Sequence, residues 1–343
     1  MLFGLFGSAT ARHGGPDVDS GQGYRQFVDY NIEAEALGYH STFLVEHHFT
    51  GFGQVSASLA LLTWVAAKTR TLRLGTAVLV LPWHNPVLLA EQAATIDLLS
   101  GGRLDFGVGK GYRHNEFAGF CVPMAEADAR FSESLDVIMK AWTSKQRFSH
   151  RGKYWHFEDV IVEPPTAQKP HPPMWMGAGS PDSIRQVAER GYNLLIDQFA
   201  SFETVAERIA IFKAEVEKRG RNYDPMEVGV ARAFFVAKDE ADKEAALERR
   251  LEAQRRLATV SSSPGQKNTA SIMAYSDTRE ASEESALYGT PDEIASKLET
   301  LRGLGVEYIL LNGGGGLAHD SLSRFAREVM PAFSAGAKMR VVG

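Results

Sequence analysis

The sequence predicts a single (β/α)8 barrel, a TIM barrel of the α/β class, over residues 1–343. Eight short, almost continuous apolar segments alternate with segments of helical period, and no linker-like stretch divides them. Continuous apolar strands are typical of a parallel sheet covered on both faces, and regular alternation of strand and helix is typical of α/β folds. Because the chain is longer than the ~250 residues of an ordinary barrel, we also expect insertions after the fourth helix and between the seventh and eighth strands.

Local signals set several ends of the predicted elements. Gly38 ends the first helix, Pro86 begins the third, and Ser180 followed by Pro181 begins the fifth, an order that suits an N-cap and the first helical position. The predicted strands are 2–6, 42–45, 72–80, 103–108, 174–176, 192–196, 228–236 and 306–311. The predicted helices are 24–37, 56–68, 86–99, 126–144, 180–190, 202–219, 240–257 and 321–333, and a further helix begins after Thr290.

Two stretches do not fit the alternation of strand and helix. Residues 145–170 contain Tyr154, Trp155 and Phe157 and end in prolines that return the chain to the fifth strand, which predicts an excursion hairpin. Residues 258–288 are polar and lack a clear period. A long stretch of this kind predicts a mobile loop insertion, with an ordered insertion as the alternative.

Composition and charge exclude several classes of protein. The formal net charge is -5 and the basic residues are scattered, so we expect no nucleic acid partner. The single cysteine, Cys121, excludes an internal disulfide and metal sites built on several cysteines, and we expect no metal. Apolar runs are far shorter than the ~18 residues of a membrane span, and the apolar amino end is too short for a secretory signal. We therefore expect a soluble, cytoplasmic protein that does not bind a membrane.

The second predicted strand runs directly into Glu46, His47 and His48. The carboxyl ends of parallel strands are the edge at which barrels carry their active sites, so we expect chemistry here. Adjacent side chains on a strand point to opposite faces, so at most one of the two histidines can enter the mouth of the barrel. That histidine is predicted to act as a general acid or base or to bind a ligand, and a structural role is the alternative.

Two glycine-rich loops are candidates for binding an anion. Residues 107–111 lack the last glycine and the acid of a dinucleotide fingerprint, but Lys110 offers a positive charge after the fourth strand. Residues 177–183 lead into a helix N-terminus, where Ser180 and Ser183 could add hydroxyl donors. Helix capping alone is the alternative for this second loop. The loop 313–316, after the eighth strand, ranks below both because no basic residue is close in sequence.

Several segments in a fixed order together resemble the bacterial luciferase-like flavin-dependent monooxygenases, most closely the branch of the luciferase alpha subunit. The resemblance covers almost the whole chain. The segments that carry it are LVEHHFTGFG (44–53), GTAVLVLP (75–82), RLDFG (103–107), AERG (188–191) and VMP (329–331).

The resemblance implies reduced FMN, FMNH2, as the cofactor at the mouth of the barrel. His47 falls on the family's catalytic histidine, and Ala77-Val78 falls on a non-proline cis peptide that contacts the flavin ring. The loop at 258–288 would shield the reacting flavin from water. The positions that fall on contacts to the phosphate are Lys110, Tyr112, Gly179, Ser180 and Ser183.

Three departures from the family pattern bear on the activity. Lys110 replaces an arginine, which gives a point charge in place of a bidentate fork. Gly179 replaces an acidic residue near the phosphate. Gly109 replaces the reactive cysteine of luciferase, which argues against light emission and not against oxygen chemistry.

The function implied is that of the oxygenase in a two-component system. A separate flavin reductase would deliver FMNH2, and O2 would form a flavin C4a-(hydro)peroxide that oxygenates a small organic substrate such as an aldehyde or ketone. His47 would manage the proton as acid or base. The alternatives are a deazaflavin-dependent hydride-transfer enzyme and a non-catalytic flavin-binding protein. The predicted apolar wall of the substrate pocket is Phe6, Trp83, Phe117 and Phe199.

The resemblance also suggests a homodimer, through the helices after the second and third strands. Apolar residues on those helices are candidates for the contact. They are Ala60, Leu61, Trp64, Leu89 and Ala93.

Overall fold

The structure is a computed structural model that describes residues 1–261, 278–313 and 318–334. Its centre is a closed barrel of eight parallel strands, in which the last strand pairs with the first. This confirms the predicted fold class. The strands of the barrel, each flanked by its neighbours in this order, are β1 (Leu2–Gly7), β2 (Ser41–Leu44), β3 (Arg73–Thr76), β5 (Leu104–Gly109), β8 (Met174–Gly177), β9 (Asn193–Ile196), β10 (Val228–Val236) and β12 (Tyr308–Asn312).

Four further strands of the described residues lie outside this ring. The short strand β4 (Leu79–Val80) pairs with β5, and β11 (Leu287–Gly289) pairs with the end of β10. An antiparallel hairpin stands apart from the barrel within residues 145–170. Its strands are β6 (Phe148–Arg151) and β7 (His156–Val160).

Helices follow the barrel strands and cover the outside of the sheet. Asn85 caps the third of them through bonds from two backbone amides, and Ser180, Ser201 and Thr290 cap three others. The helices are α1 (Gln22–Ala36), α2 (Ser58–Lys68), α3 (Pro86–Leu99), α4 (His114–Gly119), α5 (Ala127–Thr143), α6 (Pro181–Arg190), α7 (Phe202–Lys218), α8 (Glu240–Ser261), α9 (Arg279–Glu284), α10 (Pro291–Gly303), α11 (His319–Arg324) and α12 (Pro331–Ser334).

The inside of the barrel is filled by large rings set against small residues. The ring of Phe43 leaves no room for a side chain at Gly75 on the next strand, because a Cβ there would lie 2.3 Å from it. Phe43 packs edge-on against Trp175, which in turn packs against Tyr308. The barrel is therefore a packed core along its axis, and space remains only at its end.

Some predicted elements differ from those observed. The predicted strand 72–80 is two strands, because the backbone turns at a cis peptide bond between Ala77 and Val78. The predicted helix 321–333 is interrupted by a π-helical turn at Phe325–Val329. The sequence analysis missed the short elements α4, α9 and β11, which are too brief to show a period.

The insertion predicted at 258–288 falls partly outside the described residues, which resume at 278. Its described end is ordered into α9 and β11, and Leu287 is fully buried there. None of the described helices is both long and apolar enough to span a bilayer.

Candidate active site

The carboxyl ends of the barrel strands surround a cavity of about 950 Å³. Pockets for small molecules and cofactors fall in the range of about 300–1,000 Å³, and this is the edge at which barrel enzymes carry their catalytic groups. Ten of the predicted site residues line this one cavity. They are Phe6, His47, Ala77, Val78, Lys110, Tyr112, Gly179, Ser180, Ser183 and Phe199.

An acid on the short helix α4 holds His47 in the cavity wall. The Nδ1 atom of His47 lies 3.0 Å from Oε1 of Glu116, and the same oxygen accepts the backbone N–H of His48 at 3.0 Å. An ionised carboxylate can only accept hydrogen bonds, so Nδ1 of the neutral ring donates and Nε2 carries the lone pair. Glu116 thus fixes the ring's orientation and leaves Nε2 able to accept a proton.

Burial lowers the pKa of His47 below its usual value because it penalises the charged ring. The hydrogen bond with Glu116 acts in the opposite direction, while the positive charge of Arg113 adds to the lowering. The net direction is downward. The imidazole is therefore neutral at neutral pH and can act as a base.

The second histidine turns away from the cavity, as the alternation of side chains predicts. Its Nε2 donates to Oε1 of Glu46 at 2.7 Å, and its ring packs edge-on against Trp83 and Phe120. Glu46 also accepts bonds from the indole of Trp83 at 2.8 Å and from His84 at 2.9 Å. Burial alone would raise the pKa of Glu46, but these bonds lower it to about 2.

Glu46 therefore works as an anchor for the loops around His47. It is 1% exposed, and its Oε2 also accepts the backbone N–H of Val80 at 3.2 Å. A single buried carboxylate thus joins the loop after β2 to the segment after β3. The sequence analysis placed Glu46 in the motif without a role, and its contacts indicate a structural one.

Another side of the cavity has the groups needed to bind a phosphate. The loop after β8 leads through Gly179 into α6, whose N-terminus favours negative charge. Ser180 and Ser183 form a capping box in which their hydroxyls lie 2.8 Å apart. The two hydroxyls therefore bond each other and also accept the backbone N–H groups of Ser180 and Ser183, so the helix dipole is what attracts an anion here. Lys110 pairs with Asp128, an exposed partner that an anion could replace.

The cis peptide bond between Ala77 and Val78, implied by the resemblance, is present. Both residues line the cavity. A Cβ at Gly109 would lie 2.4 Å from Cγ2 of Val78, so glycine is required beside this turn. The same contact explains why a cysteine side chain would not fit at this position.

The four predicted wall aromatics divide into two pairs. Phe6 and Phe199 line the cavity. Trp83 and Phe117 are not among the residues that line it, and their rings pack edge-on against each other 5.2 Å apart. Trp83 also stacks on Phe120, and Phe117 is 1% exposed. These two rings pack at helix α4, which carries Glu116, and do not line the cavity.

The sequence analysis missed two charged residues of the site, Arg113 and Glu116. Both line the cavity and both are buried. They follow Lys110 within six residues on the same edge of the barrel. A catalytic histidine is commonly oriented by a hydrogen bond from its other ring nitrogen to a carboxylate or carbonyl, so a search for acids after each strand could have found Glu116.

The chain is similar to known proteins over almost its whole length. Residues 4–308 match a family model described as luciferase-like monooxygenase. The oxygenase component of the flavin-dependent trigonelline monooxygenase of Acinetobacter baylyi is 27% identical over 337 residues, 92% of this chain and 93% of that protein. The FMNH2-dependent dimethylsulfone monooxygenase of Pseudomonas putida is 29% identical over 335 residues, 89% of this chain and 87% of that protein.

Two further similarities concern the cofactor and the fold. The F420-dependent glucose-6-phosphate dehydrogenase of Amycolatopsis mediterranei is 25% identical over 338 residues, 94% of this chain and 96% of that protein. The crystal structure of monooxygenase RslO1 from Streptomyces bottropensis superposes with a TM-score of 0.84 at 25% identity. The superposition covers 97% of this chain and 100% of that one.

Proposed function

This chain belongs to the luciferase-like monooxygenase family, as its sequence motifs predict, and from that premise we propose that it is the FMNH2-dependent oxygenase of a two-component system. A separate flavin reductase would supply FMNH2, and O2 and a small organic substrate such as an aldehyde or ketone would be the other reactants. The names of the Acinetobacter and Pseudomonas relatives support this reading. The substrates of those proteins are not carried over.

The observation that carries the proposal is the buried pair of His47 and Glu116 in the wall of a cavity that also has an anion-binding side. The cavity offers a neutral imidazole at one place and a helix N-terminus at another. A phosphate-bearing cofactor with a reactive ring system needs both a site for its anion and a proton-transfer group.

The residues present fit reduced FMN. Its phosphate would be held by Lys110, Tyr112, the amide of Gly179 and the start of α6 at Ser180 and Ser183. Its ring would contact Ala77 and Val78. The neighbouring residues Gly109 and Gly177 have no side chains that would occupy this space. Bound FMNH2 would supply the activation of O2, and the protein would supply position and protons.

On the substrate side, each residue has a role that follows from its environment. Nε2 of His47 would accept or return a proton at the reacting oxygen, because the ring is neutral and Nδ1 is held by Glu116. Phe6 and Phe199 would exclude water from the reacting groups. Glu46 would keep the surrounding loops in place.

An anaerobic titration tests the proposal directly. The protein would be titrated with photoreduced FMN and then mixed with aerated buffer, and the return of the absorbance of oxidised flavin would be followed. We expect saturable binding of FMNH2 and a time course of reoxidation that differs from that of free FMNH2. In the His47→Ala variant we expect binding to persist and the time course to change. Failure to bind FMNH2 would overturn the proposal.

Deazaflavin-dependent hydride transfer is the second candidate, because the Amycolatopsis relative that uses F420 matches nearly the full chain. The same anaerobic titration with reduced F420 separates the two candidates. Tight binding of F420 without FMNH2 binding, followed by substrate reduction that is independent of O2, would favour this function.

We also propose a homodimer through α2 and α3 and a cytoplasmic location. Three of the suggested contact residues, Leu61, Leu89 and Ala93, are buried in the protein's own core. Large apolar side chains are nevertheless exposed on these two helices, and they are Trp64, Leu88, Leu98 and Leu99. Light scattering at micromolar concentration should give the mass of two chains, and a uniform monomer would contradict this part of the proposal.

A further inference from the structure

One buried charge in the cavity has no role in the function proposed above. Arg113 follows β5 and lines the cavity with its side chain, yet it is only 1% exposed. Buried arginines in proteins are normally paired and fully hydrogen-bonded, because an unsatisfied charged donor is costly away from water. The partners of Arg113 therefore indicate whether it serves the fold or a ligand.

The hydrogen bonding of this guanidinium is incomplete. Its Nη1 reaches Oε1 of Gln54 at 3.5 Å, the limit for a hydrogen bond, and lies 3.8 Å from Oε1 of Glu116. Its Nε is buried and has no acceptor among the described residues. The side chain of Tyr112 also bonds to this guanidinium, but the group has five N–H donors, and in the described part of the chain the Nε donor is left without an acceptor.

Arg103, at the other end of β5, shows what a structural arginine looks like in this protein. Its Nε, Nη1 and Nη2 atoms make bonds of 2.8–3.2 Å to Ser100, Ala66, Thr69 and Leu72. The fold alone therefore saturates the guanidinium of Arg103. The incomplete bonding of Arg113 points to an acceptor that arrives with a ligand.

We infer that Arg113 binds a carboxylate group of the organic substrate, so that the enzyme acts on anionic, carboxylate-bearing molecules. This inference rests on the proposed function, since it names the substrate class of the same cavity. The edge of a guanidinium matches a carboxylate with two parallel hydrogen bonds. The new carboxylate would take the edge that carries Nε, while Nη1 stays beside Gln54 and Glu116.

The position of Arg113 places such a substrate next to the proposed base. Oε1 of Glu116 is the atom common to both contacts, 3.8 Å from Nη1 of Arg113 and 3.0 Å from Nδ1 of His47. A carboxylate on Arg113 therefore anchors the substrate on the His47 side of the cavity. The phosphate of the cofactor has a separate site in the proposal, at Lys110 and α6.

Matched pairs of acids and amides test the inference without knowledge of the natural substrate. Acetate and acetamide, benzoate and benzamide, and octanoate and octanamide would be titrated into the protein by calorimetry. We expect at least one carboxylate to bind about tenfold or more tightly than its amide, as one charge-assisted pair can provide. We expect Arg113→Gln to remove this preference and Arg113→Lys to keep part of it.

Lys110→Gln is the matched control, since it removes a positive charge from the same cavity. The preference for carboxylates should survive in Lys110→Gln, whereas FMN should lose affinity relative to riboflavin in that variant and not in Arg113→Gln. The inference is overturned if no carboxylate binds better than its amide, if the preference survives Arg113→Gln, or if Arg113→Gln weakens FMN and not riboflavin, which would assign Arg113 to the phosphate.

The outcomes also separate this inference from the proposed function. If FMNH2 does not bind while the carboxylate preference depends on Arg113, the proposed function fails and the assignment of Arg113 stands. If FMNH2 binds and no carboxylate is preferred, the assignment of Arg113 fails and the function stands. Thermal unfolding of each variant shows whether it is folded, so a loss of binding can be read as a loss of contacts.

Discussion

Two arginines at opposite ends of strand β5, the half-buried Arg103 and the buried Arg113, differ in how completely they are hydrogen-bonded. Before the strand, Arg103 makes five hydrogen bonds of 2.8–3.2 Å, and Arg73 on β3 holds both carboxylate oxygens of Asp105 at 2.7 and 2.8 Å. After the strand, Arg113 is buried, and its Nε has no hydrogen-bond partner within residues 1–261, 278–313 and 318–334. The amino-terminal end of the barrel is bonded for stability, and the carboxyl-terminal end keeps donors for a ligand.

This difference agrees with the separate roles of the two ends of a barrel, of which one carries the ligand sites and the other serves stability. The loops at the carboxyl ends of the strands can vary without disturbing the sheet, so ligand sites collect there. Polar groups that are left incompletely bonded lower stability, and function is the usual reason to keep them. Substitutions at the mouth of the barrel should therefore change mainly the activity. Substitutions at the opposite end should change mainly the free energy of unfolding.

The largest effect on activity should come from His47→Gln. We expect turnover to fall about 10²–10⁴-fold, the contribution of a general acid or base, while the free energy of unfolding changes by no more than about 1 kcal/mol. The glutamine amide can still donate to Glu116, so the loop should keep its position. Flavin reoxidation and urea unfolding of the same preparations check both parts, and a large loss of stability would place His47 with the structural residues.

The two arginines test the comparison most directly when each is replaced by methionine. We expect Arg103→Met to lower the free energy of unfolding by about 2–4 kcal/mol, because it leaves several carbonyl acceptors without donors. Arg113→Met should change it by about 1 kcal/mol or less. Urea unfolding near neutral pH measures both values. Equal losses would show that Arg113 is as structural as Arg103.

Most of the fold could be predicted from the sequence because the strands are continuous apolar runs and the long helices show a clear period. Cavity residues that belong to recognisable sequence motifs could be predicted, as with His47, Lys110 and Ser180. The sequence could not give the partners across loops, such as the contact between His47 and Glu116, which are 69 residues apart. Nor could it show that Trp83 turns away from the cavity, because that depends on its hydrogen bond to Glu46.

Glu46 lies at the mouth of the barrel, but unlike Arg113 it is fully hydrogen-bonded. Its substitution therefore tests the comparison between the two ends of the barrel. It is saturated like the arginines at the opposite end, so Glu46→Gln should lower the free energy of unfolding by about 2 kcal/mol near neutral pH. The folded protein lowers the pKa of Glu46 from 4.5 to about 2. Its stabilising effect is therefore complete above about pH 4.5 and is lost as the pH falls towards about 2.

The pH dependence of unfolding checks this assignment. Urea unfolding from neutral to acid pH should show a smaller loss of stability on acidification in Glu46→Gln than in the wild type. If the free energy of unfolding falls equally with pH in both proteins, Glu46 does not cause the predicted loss of stability in acid.

The smallest effect on turnover is expected for Glu116→Gln. The amide oxygen can still accept from Nδ1 of His47 and from the backbone of His48, so the geometry should persist and turnover should fall only about threefold to tenfold.

The carboxylate raises the pKa of His47 against the lowering effect of burial. Its removal should therefore lower that pKa further, so the ring stays neutral to more acid pH and the acid limb of the activity profile moves to lower pH. Histidine NMR of the 15N-labelled protein follows His47 directly, with the spectrum of Glu46→Gln as the comparison. A pKa of His47 that rises in Glu116→Gln, or does not change, would mean that Glu116 orients the ring without tuning its charge.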